Sequence, residues 1–364
     1  MMIGPITSRI ASDITSDRAV SPLDLRDAAQ VAEADAYVRA HPASTPFHRT
    51  GWIAAVEQAT GNRAHMLVAR GADGLIAGLL PLVHMRSRLF GNALVSAAFA
   101  VDGGILADDE AVAGMLAGAA EALAATLGGL PMELRGGIAP GAGWRMSEGA
   151  HLGFVRPLAA DDEAELLAIP RKHRAELRKA LANEALHYET GTSERLIRDH
   201  YRVYAQSVRN LGTPVFPRAL FRRMLAQFGP DADILVIYEG DRPVSAVLSF
   251  YHHGAVMPYW GGGIADARRL RSNELLYFRL MGHARVRGCT IFDFGRSKAN
   301  SGQASWKKSW GFEPRPLAYH VREHGPVRDI NPTSDRYGRK VELWKKLPLP
   351  VANAIGPWLA RGLG

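Results

Sequence analysis

Residues 292–320, FDFGRSKANSGQASWKKSWGFEPRPLAYH, concentrate charged and aromatic side chains that could bind an anionic group. In FDFGRSK, the alternation of a strand sends Asp293 to one face and the flanking phenylalanines to the other. Gly295 permits a bulge where the strand ends. Arg296 and Lys298 follow at the carboxyl end of the strand, where α/β sheets usually bind ligands. We therefore take Asp293, Arg296 and Lys298 as candidate site residues, with a plain salt bridge as the alternative for Asp293.

Lys307 lies in WKKSWGF, between Trp306 and Trp310. In a helix the two tryptophans share a face that packs on the sheet, so the lysine is expected to be exposed beside that buried stripe. Its ammonium would then serve a donor phosphate or a developing oxyanion. An ordinary surface lysine is the alternative. Lys307, Asp293 and Arg296 are the candidate catalytic residues.

Acyl transfer to an amine is one reaction that such a cluster could serve, and it is the reaction implied by the family resemblance described below. This reaction needs an acceptor nitrogen held near the acyl carbon, stabilisation of an oxyanion and removal of a proton. It needs no covalent nucleophile, and the sequence has no G-x-S-x-G elbow that would supply a serine. The single cysteine, Cys289, has no pairing motif around it, and we interpret it as structural.

Two further segments carry candidate binding residues. In residues 257–269, MPYWGGGIADARR, Tyr259 and Trp260 precede three glycines and could line a substrate channel, with core packing as the alternative. In residues 170–180, PRKHRAELRKA, three arginines recur at helical spacing and share one face. Guanidinium groups bind phosphate oxygens bidentately, so this basic helix predicts an anion-binding surface, and a solvated helix face is the alternative. The three arginines are Arg171, Arg174 and Arg178.

The composition favours an anionic partner. The net charge of +8 suits nucleic acid, a phosphorylated substrate or an acidic membrane surface. One cysteine excludes an internal disulfide and a thiolate zinc cluster, and we expect no metal site. The N-terminus lacks the apolar core of a secretory signal, and no run reaches the roughly 18 apolar residues of a membrane span. We therefore expect a cytoplasmic protein without a transmembrane segment.

The C-terminal segment, VELWKKLPLPVANAIGPWLARGLG, interleaves apolar residues with Lys345, Lys346 and Arg361. Such a pattern could make a peripheral contact with the acidic surface of the inner membrane. Two prolines, Pro348 and Pro350, interrupt any long helix in it. Docking onto the protein itself is the alternative interpretation.

The chain repeats one pattern twice. Each copy has an apolar hairpin, a glycine-containing segment, a helix-length stretch, a short strand and a Gly-Phe segment. Hairpin strands followed by a helix and another strand imply a mixed sheet flanked by helices. We therefore predict an α/β fold with two tandem domains, 25–157 and 160–325, and a C-terminal extension, 326–364. Two unrelated α/β segments are the alternative. The matching segments are 66–82 with 234–250, 102–106 with 261–264, 132–137 with 292–297, and 152–158 with 310–317.

The order of hairpin, third strand, helix, strand and WGF resembles the GNAT acyltransferase fold, and two tandem copies resemble the Fem family. TPFHRTGWIAAVEQATG (45–61) is similar to the opening of Fem proteins, and PRKHRAELRKA to the basic helix that opens their second copy. WKKSWGF resembles the family's aromatic–Lys–x–x–aromatic–Gly signature, which puts Lys307 at the signature lysine. FDFGRS is typical of a Fem-like subgroup linked to exosortase and exopolysaccharide gene clusters. The resemblance covers about residues 25–345.

This resemblance implies two tandem GNAT-like domains and an acyl- or aminoacyltransferase. Its acceptor would be an amine of a cell-envelope or exopolysaccharide precursor, and its anionic partner a tRNA or a phosphorylated precursor. A non-catalytic binding protein with a degenerate GNAT fold is one alternative, and a conventional coenzyme A-dependent N-acetyltransferase is another.

One segment departs from the common GNAT pattern. The Gly-rich loop that cradles the pyrophosphate of coenzyme A should fall at residues 265–276, ADARRLRSNELL, which contain no glycine. Backbone N–H groups at the helix start near Asn273 could still bind an anion, with charge supplied by Arg268 and Arg271. We therefore expect no tightly bound cofactor and no coenzyme A in its usual pose. The acyl donor is left open between aminoacyl-tRNA and acyl-coenzyme A.

Overall fold

The computed structural model describes residues 19–323 and 338–363. In this part of the chain, thirteen strands form one mixed sheet with helices on both faces. The strands are β1 (Ala19–Leu23), β2 (Arg63–Arg70), β3 (Ile76–Met85), β4 (Ala93–Ser96), β5 (Leu106–Ala107), β6 (Met132–Arg135), β7 (Arg145–Pro157), β8 (Leu186–Gly191), β9 (Ala232–Glu239), β10 (Arg242–His252), β11 (Ala255–Gly263), β12 (Ile291–Lys298) and β13 (Pro314–Arg322).

Helices precede, follow and connect these strands. They are α1 (Ala28–Ala40), α2 (Thr50–Thr60), α3 (Glu110–Thr126), α4 (Asp162–Ala168), α5 (Arg171–Leu181), α6 (Glu194–Leu211), α7 (Arg218–Phe228), α8 (Ala267–Leu270), α9 (Ser272–Val286), α10 (Gly302–Ser309), α11 (Gly338–Lys346) and α12 (Leu349–Ala360). The expected break in the C-terminal segment is present, because α12 begins directly after Pro348. Among the described residues, no helix is both long and apolar enough to cross a bilayer.

The sheet has an internal symmetry. Its order is β1-β2-β3-β4-β6-β13-β7-β12-β11-β10-β9-β8, with β5 beside β3. From one edge inward, the strands β1, β2, β3, β4 and β6 follow in chain order, and from the other edge β8, β9, β10, β11 and β12 do the same. In each half, the next strand is the last strand of the other half's sequence, β13 or β7. Each half has one parallel neighbour pair, β4 with β6 and β11 with β12, and the other pairs on this path are antiparallel. The duplication therefore extends to strand order, with Glu133 in β6 and Asp293 in β12 on corresponding strands.

The last strand of each copy lies in the sheet of the other copy. β7, from the first copy, pairs with β12, and β13, from the second, pairs with β6. The two exchanged strands pair with each other and join the halves into one sheet. The domain limits 25–157 and 160–325 stay predictions. Of the predicted extension, residues 338–363 contain α11 and α12, and residues 326–337 lie outside the described part.

The two faces of the second half are covered by different helices. In β9, Ile234 and Val236 belong to the core cluster that contains the apolar residues of α6 and α7. Leu235 and Ile237 belong to the cluster that contains those of α9. Because successive side chains of a strand point to opposite faces, α6 and α9 lie on opposite faces of this sheet.

Trp52 of α2 lies where the two copies meet. It is fully buried, and its indole N–H donates to the carbonyl of Ala98 at 3.0 Å. Its ring stacks on Trp260 of β11, with 5.5 Å between centroids and 17° between planes. It also contacts the ring of Phe250. Trp260 is therefore a core residue rather than a channel residue, because this stack and neighbouring aromatic rings bury it.

Trp52→Ala should lower the free energy of unfolding by about 3–5 kcal/mol, the range for truncating a large buried aromatic residue. Since Trp52 contacts both copies, the loss should shift one common transition, measured by circular dichroism in urea. The matched control is Trp358→Ala, at a half-exposed tryptophan, which should cost far less. Two separate transitions with only one shifted would contradict this prediction.

Candidate functional site

A cleft opens where β11 and β12 diverge. These parallel strands pair only near their starts, Ala255 with Ile291 and Val256 with Phe292. Beyond these pairs the strands separate, and a cleft of about 580 Å³ lies between their carboxyl ends. The carboxyl ends of strands at a break in an α/β sheet are a common ligand site.

The cleft is lined from both faces of the sheet. α6 contributes Ser207, Asn210 and Leu211 from one face, and α9 and α10 contribute residues from the other. The cleft therefore passes through the sheet rather than lying on one side of it. Its lining comprises Val101, Ser207, Asn210, Leu211, Pro258, Tyr259, Gly261, Gly262, Gly263, Asn273, Tyr277, Phe294, Gly295, Arg296, Gly302, Gln303, Trp306 and Lys307.

Two glycines shape the cleft. A Cβ at Gly262 would overlap the hydroxyl of Ser207, so α6 can approach β11 only because no side chain is present. Gly295 has φ +62° and forms the predicted bulge, because the register of β12 against β7 shifts between Asp293 and Arg296. The Asp293 carboxylate accepts a hydrogen bond from the Gly295 N–H at 2.7 Å and so holds the bulge.

Lys307 is buried, so the expectation that it is exposed is wrong. Only 9% of the residue is accessible. Its ammonium donates to the carbonyls of Phe294 at 2.7 Å and Arg296 at 3.0 Å, with the Gly295 carbonyl at 3.4 Å. The buried stripe of α10 contains Ala304 and Lys307 rather than Trp306, which is only partly buried. The bulge explains this orientation, because it leaves strand carbonyls directed at α10.

The buried charges at the bulge have shifted pKa values. Burial lowers the pKa of Lys307 to about 8, although the negative charge of Asp293 opposes the shift. Burial raises the pKa of Asp293 to about 6, opposed by the Gly295 N–H and by Lys307. Asp293 is not among the residues that line the described cleft, and its carboxylate contacts the Gly295 N–H. Its catalytic role stays a prediction.

Arg296 lies in the same cleft as Lys307. Its guanidinium donates to the Tyr319 hydroxyl at 2.7 Å, and that hydroxyl donates to the carbonyl of Val101 at 3.0 Å. Tyr319 belongs to the exchanged strand β13, so the strand exchange orients Arg296. The sequence reasoning did not select Tyr319, and no local motif marks it, because its partner is 23 residues away on another strand.

The structure separates the other predicted residues into two groups. Tyr259 and Asn273 line the cleft, while Trp260 and Lys298 are not among its lining residues. The Tyr259 hydroxyl donates to the carbonyl of Phe99 at 2.6 Å. The amide oxygen of Asn273 accepts from the Ser245 hydroxyl at 2.8 Å.

The basic helix α5 packs behind the cleft. The ring of His173 in α5 packs against the rings of Trp306 and Trp310, so α5 packs directly on α10. The guanidinium of Arg174 donates to the carbonyls of Leu167 and Ile169 at the end of α4, and these bonds hold the side chain against that helix end. Arg171 and Arg178 are exposed. None of the three arginines lines the described cleft, and their binding of an anion stays a prediction.

The start of α9 already contains a carboxyl group. Arg271 forms an ion pair with Glu176 of α5, whereas Arg268 is exposed on α8. Glu274, in the first turn of α9, accepts hydrogen bonds from its own backbone N–H and from Trp306, while burial raises its pKa. The carboxyl group of Glu274 therefore lies at the helix start where an anionic ligand would otherwise bind.

A buried arginine lies at the corresponding parallel strand pair of the first copy. β4 and β6 also pair only briefly, at Leu94 with Met132 and Val95 with Glu133. Arg135 of β6 reaches the segment that follows β4, where its guanidinium donates to the Ala100 carbonyl at 3.0 Å. The same guanidinium pairs with Glu133 of its own strand at 2.6 Å. Arg135 is almost fully buried. Within the described residues, no group of histidines, cysteines or carboxylates forms a metal site in either copy.

Comparison with known proteins supports the fold. Residues 170–308 match the family model of the acetyltransferase (GNAT) domain, so this part of the chain is similar to GNAT domains. No curated protein matched the chain in a sequence comparison.

Solved structures extend the likeness in fold to most of the chain. The crystal structure of FemX matches with a TM-score of 0.63 at 15% identity, covering 79% of this chain and 95% of that one. A tandem GNAT protein from the clavulanic acid biosynthesis pathway matches with a TM-score of 0.55 at 13% identity, covering 85% and 100%. L-PGS from Bacillus licheniformis matches with a TM-score of 0.50 at 14% identity, covering 84% and 96%. The predicted fold of two tandem GNAT-like domains is confirmed.

Lys307→Met should lower the free energy of unfolding by about 1–3 kcal/mol, because the carbonyls of Phe294 and Arg296 lose their buried donor. The matched control is Lys308→Met, at the exposed neighbour on the same helix, which should change stability by less than about 0.5 kcal/mol. Urea titration of both variants measures the difference. Equal losses in the two variants would show that the Lys307 contacts do not stabilise the fold.

The contribution of Lys307 to stability should depend on pH. Its pKa is about 8 in the folded chain and about 10.4 when unfolded, so between these values the unfolded state binds more protons. The stability of the wild type relative to Lys307→Met should therefore rise with pH from about 8 to about 10.4 and stay level below 8. Urea titrations across this range measure it, and a fall with rising pH would contradict the lowered pKa.

Proposed function

We propose that the protein is an acyl- or aminoacyltransferase that uses the cleft between β11 and β12 to acylate an amine. The observation that supports this proposal best is the path of the cleft. It passes through the sheet, with α6 on one side and α9 and α10 on the other. An acyl donor and an amine acceptor can enter from opposite faces and meet at the bulge, which converts a bimolecular step into a step between bound groups.

The charges in the cleft suit an anionic reactant or an oxyanion. Of the titratable side chains that line the described cleft, Arg296 and Lys307 are cations, two are tyrosines, and none is a carboxylate or an imidazole. The N–H groups of Lys307 donate to carbonyls of β12. Its positive charge therefore attracts an anionic ligand without a direct hydrogen bond. Arg296 gives one N–H to Tyr319 and keeps further donors. Arg296 is therefore the group that we expect to contact the substrate.

The donor is proposed to be an aminoacyl-tRNA rather than coenzyme A in its usual pose. The start of α9 has no glycine loop, and Glu274 already occupies it. The net charge of +8 suits a polyanionic donor. The acceptor is proposed to be an amine of a cell-envelope or exopolysaccharide precursor, in keeping with the Fem-like motifs. A conventional coenzyme A-dependent N-acetyltransferase is the second candidate, favoured by the GNAT match of residues 170–308.

A binding experiment separates the two candidates. A thermal-shift series with aminoacyl-tRNA, deacylated tRNA, acetyl-coenzyme A and nucleotide-linked amino sugars reports which ligand stabilises the chain. We expect stabilisation by tRNA and none by acetyl-coenzyme A, followed by transfer of a labelled aminoacyl group to an amine acceptor. Saturable stabilisation by acetyl-coenzyme A, with acetylation of an amine, would overturn the proposed donor and leave the transferase. Binding of tRNA without any transfer would favour a non-catalytic binding protein.

Arg296→Gln should lower kcat/KM for transfer at least tenfold, because a hydrogen bond from a cation to a charged group contributes about 1.5–3 kcal/mol. Arg223→Gln, at an exposed arginine of α7, is the matched control and should transfer normally. Melting curves of both variants show whether the Tyr319 contact also matters for folding. A folded Arg296→Gln protein with normal kcat/KM would remove Arg296 from the proposed site.

A further inference from the structure

The C-terminal helix α12 has two apolar faces. Ala352, Gly356 and Ala360 recur every four residues and are buried against the protein. Val351, Ile355 and Trp358 recur at spacings of four and three and are exposed by 44%, 43% and 53%. Residues at these spacings lie on one face of a helix. α12 therefore docks through its small residues and presents larger apolar side chains outward, the reverse of an ordinary surface helix.

A basic cavity lies at the end of this outer face. It has a volume of about 580 Å³ and lies between α12 and the loop that joins β3 to β4. Its charged lining residues are Arg86, Arg88 and Arg361, and no carboxylate is among the residues that line it in the described chain. Trp358 and the exposed Leu89 lie beside these arginines in the same lining. Arginine is the side chain best suited to binding phosphate oxygens.

The cavity is a fixed part of the fold. The side-chain amide of Asn62, at the end of α2, donates to the carbonyl of Arg361 at 2.7 Å and holds the end of α12. The guanidinium of Arg86 donates to the Gly61 carbonyl at 3.1 Å. Apolar and aromatic side chains beside clustered cations are the combination that binds the interface of an acidic bilayer, with tryptophan at the headgroup level.

We infer that the outer face of α12, together with Arg86, Arg88 and Arg361, docks onto a membrane that contains anionic phospholipids. Val351, Ile355 and Trp358 enter the interface, and the arginines bind lipid phosphates in the cavity. Charge complementarity selects this occupant, because the apolar face is bordered by arginines and the whole chain carries +8. The inference is independent of which acyl group the enzyme transfers.

This docking would set the cleft beside the bilayer. α11 and α12 pack on α6, and the guanidinium of Arg209 in α6 donates to the Lys345 carbonyl of α11 at 3.0 Å. The neighbouring residues Asn210 and Leu211 line the cleft. A helix that contacts the membrane-docking segment on one side therefore forms a wall of the cleft on the other.

Flotation of the full chain with vesicles tests the inference. One set of vesicles is phosphatidylcholine alone, and the other contains phosphatidylglycerol as well. We expect binding to the anionic vesicles that weakens as salt rises, and little binding to phosphatidylcholine. Arg88→Gln should weaken binding about fivefold, the effect of one basic residue near an anionic surface. Trp358→Ser should weaken it about tenfold through the lost apolar contact.

Matched controls lie outside the patch. Val286→Ser removes an apolar side chain that is 88% exposed at the end of α9, and Arg223→Gln removes an exposed arginine of α7. Both should bind like the wild type. If Trp358→Ser disturbs α12, seen as a lowered melting temperature, Arg88→Gln in the loop decides the question. Equal binding to both vesicle types, no binding to anionic vesicles, or equal losses in patch and control variants would overturn the inference.

Discussion

The exchange of β7 and β13 between the two copies is the constraint on which the rest of the structure depends. β7 of the first copy pairs with β12 of the second, and β13 of the second copy pairs with β6 of the first. Because β7 and β13 also pair with each other, the two sheets become one. The same exchange brings Tyr319 against Arg296 and Val101 into the cleft wall. The cleft is therefore a product of both copies, although its strands and helices come mainly from the second.

Each copy has a buried cation near its parallel strand pair, and the two cations make different contacts. In the first copy Arg135 of β6 donates to the Ala100 carbonyl, in the segment that follows β4, and pairs with Glu133 of its own strand. In the second copy Lys307 comes from α10 and donates to the carbonyls of Phe294 and Arg296 at the bulge. Burying a charge is costly unless hydrogen bonds compensate it, and both sites supply them. The cleft that contains Arg296 and Lys307 lies mainly in the second copy.

Local patterns in the sequence predicted much of this architecture. The paired hairpins and glycine segments indicated two copies of a mixed sheet, and the strand order bears this out. FDFGRSK indicated a strand with a bulge at Gly295, because glycine readily adopts positive φ. The same reasoning placed Arg296, Lys307, Tyr259 and Asn273 near a ligand, and all four line one cleft. It predicted the wrong exposure for Lys307, because the spacing of Trp306 and Trp310 indicated a different buried face of α10 from the one that contains Ala304 and Lys307.

The sequence by itself determined the period of each element, the bulge and the concentration of cations, because these depend on neighbours within a few residues. Only the tertiary structure decided which strands exchange, which helices cover each face and which cations remain available to a ligand. Local sequence predicted that Arg174 and Arg271, like Arg296, bind an anion. In the structure Arg174 donates to the carbonyl of Ile169, and Arg271 pairs with the carboxylate of Glu176. The pair of Arg271 and Glu176 joins α5 to the start of α9, and periodicity along the chain does not determine such a contact.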